Sequence, residues 1–234
     1  MDAEHEEISN APNVKRLLLN TLAIPLGIVL IMWISKLAEL IFNVRFTGLG
    51  IFPLSAQGLV GILVSPFIHS DFSHLAGNSI SIIVLGGLLF YFYKELALRV
   101  LIYGWVVTGF WVWVAARDAW HIGASGVVYS LAAFLFTSGL LRRNPQLIAI
   151  TLLVVFLYGG LAWGVFPIQE RISWESHLLG MASGVVLAIF FKNTGPVRRI
   201  YSWEIEEDEK DEVDEDFDPG IKNDSIEKEI KRMP

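Results

Sequence analysis

Ser125 stands in the tetrapeptide Gly123-Ala124-Ser125-Gly126, where a polar connection (Arg117, Asp118, His121) gives way to an apolar run, residues 127–141. Glycine on either side allows close backbone approach, and a helix start offers unpaired N–H groups and a positive dipole end. A serine so placed has the makings of a nucleophile with an oxyanion site beside it. The plainer alternative is a Gly-Ser pair that eases helix packing, as small residues do in membranes. Two other groups bear on the choice. His74 and Asn78 are four apart and share one helical face. Polar groups inside an apolar segment usually face a partner or a cavity, although a pair of interhelical hydrogen bonds, worth about 1 kcal/mol, would also account for them. His69, five before His74, falls outside that face and is expected to order the preceding connection against the helix start. His177, Gly180 and Gly184 follow at i, i+3 and i+7, so one helix face carries an imidazole and two notches. A neutral imidazole can take a serine proton near pH 7; it can also be a packing polar group.

The elements that must position these groups are apolar. The 234-residue chain is 53% hydrophobic, with eight tryptophans and a mean hydropathy of +0.52. Its net charge of −6 is unevenly spread: residues 194–234 hold 14 acidic and 7 basic side chains, which leaves the rest at +1. There is no cysteine, hence no disulfide framework and no thiolate metal site. Three regions follow from this. Residues 1–14 are a polar leader with no signal-peptide pattern, 15–193 a membrane domain, and 194–234 an acidic tail whose composition predicts disorder.

Six apolar stretches are read as spans: residues 17–34, 73–93, 100–116, 125–141, 147–165 and 174–191. Pro25 predicts a kink in the first, and Lys36 and Glu39 beyond it are expected to snorkel to the interface. Residues 43–70 form a long Gly- and Pro-rich connection, expected to lie in the interface as short helical pieces. With both termini inside, nine basic residues (Lys15, Arg16, Lys94, Arg99, Arg142, Arg143, Lys192, Arg198, Arg199) fall on that side. Arg45, Arg117 and Arg171, or four with Lys36, fall on the other. The positive-inside rule then makes the termini cytoplasmic and puts Ser125 near the outer face. From Ser125 to Arg142 the helix rises about 25 Å against a core of about 30 Å, which sets the serine several ångströms below the outer surface. Hydrolysis there needs a polar cavity to deliver water.

The three motifs, Gly-x-Ser-Gly, His-x-x-x-x-His-x-x-x-Asn and His-x-x-Gly-x-x-x-Gly, in this order and on one side of six spans, resemble the rhomboid intramembrane serine proteases over residues 17–192. The resemblance implies an all-α membrane protein, a six-helix bundle with cytoplasmic termini. It implies a Ser-His dyad without an acid: Ser125 as nucleophile, His177 as base, and an oxyanion hole from His74, Asn78 and the Ser125 N–H. Gly123 matches the family glycine, and Tyr129 a tyrosine that packs on the catalytic imidazole. Asp71, Asp118 and Glu175 are read as interfacial charges. The first connection would be the family's membrane-embedded loop, and the fifth helix with residues 166–173 the gate for substrate. The partners implied are transmembrane helices of other proteins and the lipid bilayer, in a prokaryotic cytoplasmic membrane. One departure stands out: many members carry a Trp-Arg pair eight residues before the position of His69, where this chain has Val60-Gly61.

Two other readings remain. Rhomboid-like pseudoproteases bind membrane clients but lack the serine or the histidine, and both are present here. A small channel would be expected to carry acidic residues within its spans, and only Glu39 and Glu175 come near them. No nucleic-acid, nucleotide, cofactor or metal motif appears.

Overall fold

The computed structural model describes residues 14–142, 144–167 and 173–196. The leader, Arg143, residues 168–172 of the gate connection with Arg171, and the acidic tail from 197 lie outside the described residues. Among the described residues seven α-helices follow one another: α1 Val14–Ile41, α2 Ala56–Val64, α3 Phe72–Phe92, α4 Ala97–Ala115, α5 Ser125–Arg142, α6 Pro145–Tyr158 and α7 Trp174–Phe190. Four of them, α1, α3, α4 and α5, are long and apolar enough to cross a membrane; α6 and α7 are shorter apolar helices. Among the described residues the sole strand-like pairing is an isolated bridge between Ile51 and His121.

At the centre is α5, buried along most of its length, from Ser125 to Gly139. Its tightest neighbour is α7, and the sequence shows why. A Cβ on Gly180 would meet the carbonyl oxygen of Gly126, and one on Gly184 the carbonyl oxygen of Ser130. Two main chains thus touch directly, as the small-residue spacing predicts. Just below, Ser183 of α7 donates to Ser130 of α5 at 2.9 Å and bonds Thr108 of α4 at 2.8 Å, so the buried hydroxyls satisfy one another. Gly184→Val should lower the melting temperature in detergent. Ala133 Cβ and Phe134 N already lie 2.9 Å from the first added carbon, and overpacking of this kind costs about 1–3 kcal/mol or more. An unshifted melting temperature would refute the close crossing.

Two sequence expectations are corrected in α1 and α6. The first helix does not stop near residue 34 but runs to Ile41, carrying Lys36 and Glu39 inside it. These side chains are partnered within the protein. Lys36 Nζ donates to Glu39 at 2.9 Å and to the carbonyls of His69 and Ser70 at 2.9 and 3.1 Å, while Glu39 accepts the Phe46 N–H at 2.8 Å. The pair ties both ends of the long connection to α1. The fifth apolar stretch is not one helix through residue 165. It is α-helical to Tyr158 and then tightens into a 3-10 run, Gly159–Val165, whose three glycines weaken the α form.

The long connection, without the Trp-Arg pair, is anchored from outside. Trp113 and Trp105 of α4 donate their indole N–H groups to the carbonyls of Ser55 and Ile62, each at 2.9 Å. Ser55 caps α2 by accepting from Gly58 N at 3.0 Å. Ile51 exchanges both backbone bonds with His121, at 2.9 and 2.8 Å.

Candidate active site

Ser125 is the first residue of α5, so its N–H is among those a helix start leaves without an intrahelical partner. The chain reaches it through Gly123 at φ +105°, a left-handed conformation that glycine alone adopts at no steric cost. Space demands glycine there as well, because a Cβ would sit 2.6 Å from the His74 ring. His74 thereby packs on the segment that delivers the serine. Its helix, α3, is started by Asp71, whose carboxylate accepts the His74 N–H at 2.8 Å. That bond, then the Ser70 hydroxyl, hold the Asp71 carboxyl below its usual range.

One turn further along α3, Asn78 is buried, and its amide nitrogen has no hydrogen-bond partner among the described residues. An orphaned buried donor is costly, about 1–3 kcal/mol. Here it lines a cavity of about 860 Å³ together with Ser125, His177, His74 and Tyr129. Exposed Ser70, Asp71 and Arg117 also border this cavity and give water a polar entry.

His177 lies on the first turns of α7, and Tyr129, one turn after Ser125, stacks flat on its ring at 4.2 Å and 7°. The imidazole Nδ1 is 2.8 Å from the carbonyl oxygen of Gly164, in the 3-10 run. A carbonyl only accepts, so Nδ1 carries the proton and Nε2 keeps its lone pair. A backbone oxygen and a phenol ring together fix the ring's tautomer and plane, tasks a carboxylate performs in a triad. His69 orders the connection as expected: it is buried, edge-on to His74 at 5.1 Å, with Nε2 3.5 Å from the Ala124 N–H. Burial first, and His74 beside it second, push its imidazole down to about 4, so it is neutral at pH 7.

The described structure thus brings Ser125, His177, His74, Asn78, Gly123 and Tyr129 into one place. The rhomboid domain model matches residues 56–194, more than half the chain and all of these groups. The chain belongs to the rhomboid family. This is a family of intramembrane proteases, and the apolar helices make the protein an integral membrane protein. Relatives occur in mycobacteria. An uncharacterized protein of Mycobacterium tuberculosis is 32% identical over 172 residues, 70% of this chain and 72% of the relative. An uncharacterized protein of Mycobacterium leprae is 35% identical over 149 residues, 59% of each.

Two features of this rhomboid site escaped the sequence reading. Glu175 is 5% exposed and paired, one carboxylate oxygen lying 3.4 Å from Arg117 Nε. Gly164 has no signature in the sequence, since every residue carries a carbonyl; the one available signal is a set of glycines at the end of an apolar helix. Its role is open to test. A Cβ on Gly164 would strike the Tyr129 hydroxyl and lie 3.1 Å from His177 Nδ1. Gly164→Ala should therefore lower kcat about tenfold by tilting the imidazole, and adding Tyr129→Phe, which removes the struck oxygen, should recover part of that. Gly160→Ala, which meets nothing within 4 Å, is the control. Equal activity of Gly164→Ala and the control would refute the role.

Proposed function

We propose that this protein is an intramembrane serine endopeptidase that cleaves transmembrane segments of other membrane proteins with a Ser125-His177 dyad. The observation that carries the reading is the His177 ring. Gly164 holds the proton on Nδ1 and Tyr129 holds the plane, which leaves Nε2 as a base in the cavity that Ser125 lines. In the first half-reaction Ser125 Oγ attacks the scissile carbonyl and passes its proton to Nε2. The Oγ–C bond forms, the C–N bond breaks, and the imidazolium gives its proton to the departing amine. Water entering past Ser70 and Asp71 then hydrolyses the acyl ester, with His177 again as base. The oxyanion of each tetrahedral intermediate is met by the Asn78 amide, the His74 ring and the Ser125 N–H, and the unpartnered Asn78 nitrogen supports this assignment.

The membrane arrangement belongs to the same proposal. α1, α3, α4 and α5, with α6 plus its 3-10 extension and α7, make six spans. Both termini are cytoplasmic, the cavity opens to the outer side, and the host membrane is a bacterial inner membrane. The uneven distribution of lysine and arginine supports this orientation. The test is fluorophosphonate labelling of purified wild-type protein with the modified peptide mapped by mass spectrometry. Modification at Ser125 is expected. A folded protein that takes no label, or takes it at another serine, would overturn the dyad.

A further inference from the structure

The residues nearest the dyad in sequence form a second polar cluster that the reaction above does not use. His121 lies in the connection before α5, four residues ahead of Ser125, and Ser173 lies just before α7, four residues ahead of His177. His121 Nδ1 and the Ser173 hydroxyl are 2.6 Å apart, and the Ser173 and Ser176 hydroxyls are also 2.6 Å apart. On the other side of the ring, Nε2 is 3.0 Å from the carbonyl oxygen of Arg117. The partners fix the direction of every proton. Arg117 O only accepts, so Nε2 is the donor and Nδ1 the acceptor; Ser173 donates to Nδ1 and accepts from Ser176. The His121 ring is 2% exposed and burial pushes its imidazole below the ordinary range, which keeps Nδ1 an acceptor at neutral pH.

Two observations separate this cluster from ordinary packing. Ser173 occupies the N-cap position of α7, where a serine hydroxyl ordinarily accepts from the first free N–H groups. It makes no such bond. Its hydroxyl instead joins the Ser176 side chain, in the first turn of α7, to His121. The backbone of His121, in turn, is held from a third direction by its two-bond bridge to Ile51. The Arg117–Glu175 ion pair spans the same two segments.

From this we infer that His121 is a positioning residue, which through Ser173 fixes the register of the nucleophile's connection against the helix that carries the base. The inference rests on the proposed dyad and deepens it. The tight α5–α7 seam sets the helix axes, but Ser125 and His177 both lie at helix starts, where axes alone leave the first turn free to fray. A hydrogen bond placed four residues before each of them closes that freedom.

The test is the rate of fluorophosphonate labelling at Ser125, read beside the melting temperature of each variant in the same detergent. His121→Leu and Ser173→Ala should each slow labelling about tenfold, the order expected when a reacting pair is slightly misplaced. For peptide cleavage the loss should fall on kcat with KM kept. His121→Asn, whose carboxamide oxygen stands where Nδ1 stood, should label within about threefold of wild type. The double variant His121→Leu with Ser173→Ala should be no slower than the slower single one, because each already removes the bond that joins the two side chains. Wild-type labelling rates in Ser173→Ala, or single losses that multiply in the double variant, would overturn the inference alone. Ser173→Ala removes only a hydroxyl, so it decides the matter even if His121→Leu does not fold. No label at Ser125 in the wild type would overturn the dyad and this inference together.

Discussion

His177→Ala should reduce cleavage of a reconstituted transmembrane substrate by about four orders of magnitude or more, with little change in KM. Removing the base of a serine hydrolase leaves only what binding and the oxyanion site supply. The geometry around His177 suits a full loss. Its Nδ1 proton is committed to Gly164 and its face to Tyr129, so Nε2 is the atom left for proton transfer. Neighbouring His121 is no substitute, since both its nitrogens are engaged by Ser173 and Arg117. A variant that retained a tenth of wild-type turnover would move the base elsewhere.

Asn78→Ala should lower kcat by about 10²–10³-fold, the typical cost of one oxyanion donor, while leaving the melting temperature unchanged or higher. The two halves of this expectation come from one atom. The Asn78 amide nitrogen is buried and has no hydrogen-bond partner among the described residues, so alanine removes no protein hydrogen bond made by that nitrogen. A structural asparagine would behave oppositely, losing stability with its bonds. Unchanged turnover would remove Asn78 from the oxyanion site.

Much of this architecture is legible in the residues, and what is not has a physical cause. Spans are readable because an apolar run has few other uses, and the α5–α7 seam because glycines four apart expose main chain on one face. Three groups of the proposed site, His74, Asn78 and His177, announce themselves because imidazole and carboxamide are expensive in apolar helices. What an apolar run ending near residue 34 does not announce is that the helix continues: Lys36 and Glu39 neutralise each other and the loop carbonyls complete the shell, so the helix passes through them to Ile41. The Glu175–Arg117 pair joins residues 58 apart in the chain, a separation no local pattern spans. The tryptophan anchors of the long connection are donors on α4 serving carbonyls in another segment, a pairing no local pattern encodes. Gly164 acts through its backbone, which every residue shares.

Where α5 and α7 meet through main chain, there is no side chain left to optimise. Laboratory evolution toward stability should find the seam closed: any carbon added at Gly180 or Gly184 strikes backbone. Gains should come instead from glycines with open surroundings, such as Gly27 within α1, where a Cβ meets nothing within 4 Å. Gly27→Ala should raise stability by about 0.5–1 kcal/mol, measurable as a higher melting temperature at unchanged turnover; a lower one would count against the open site. Divergence along this chain is thereby channelled: exposed helix faces can drift in sequence, while the partnership of α5 and α7 can change only by changing both main chains at once.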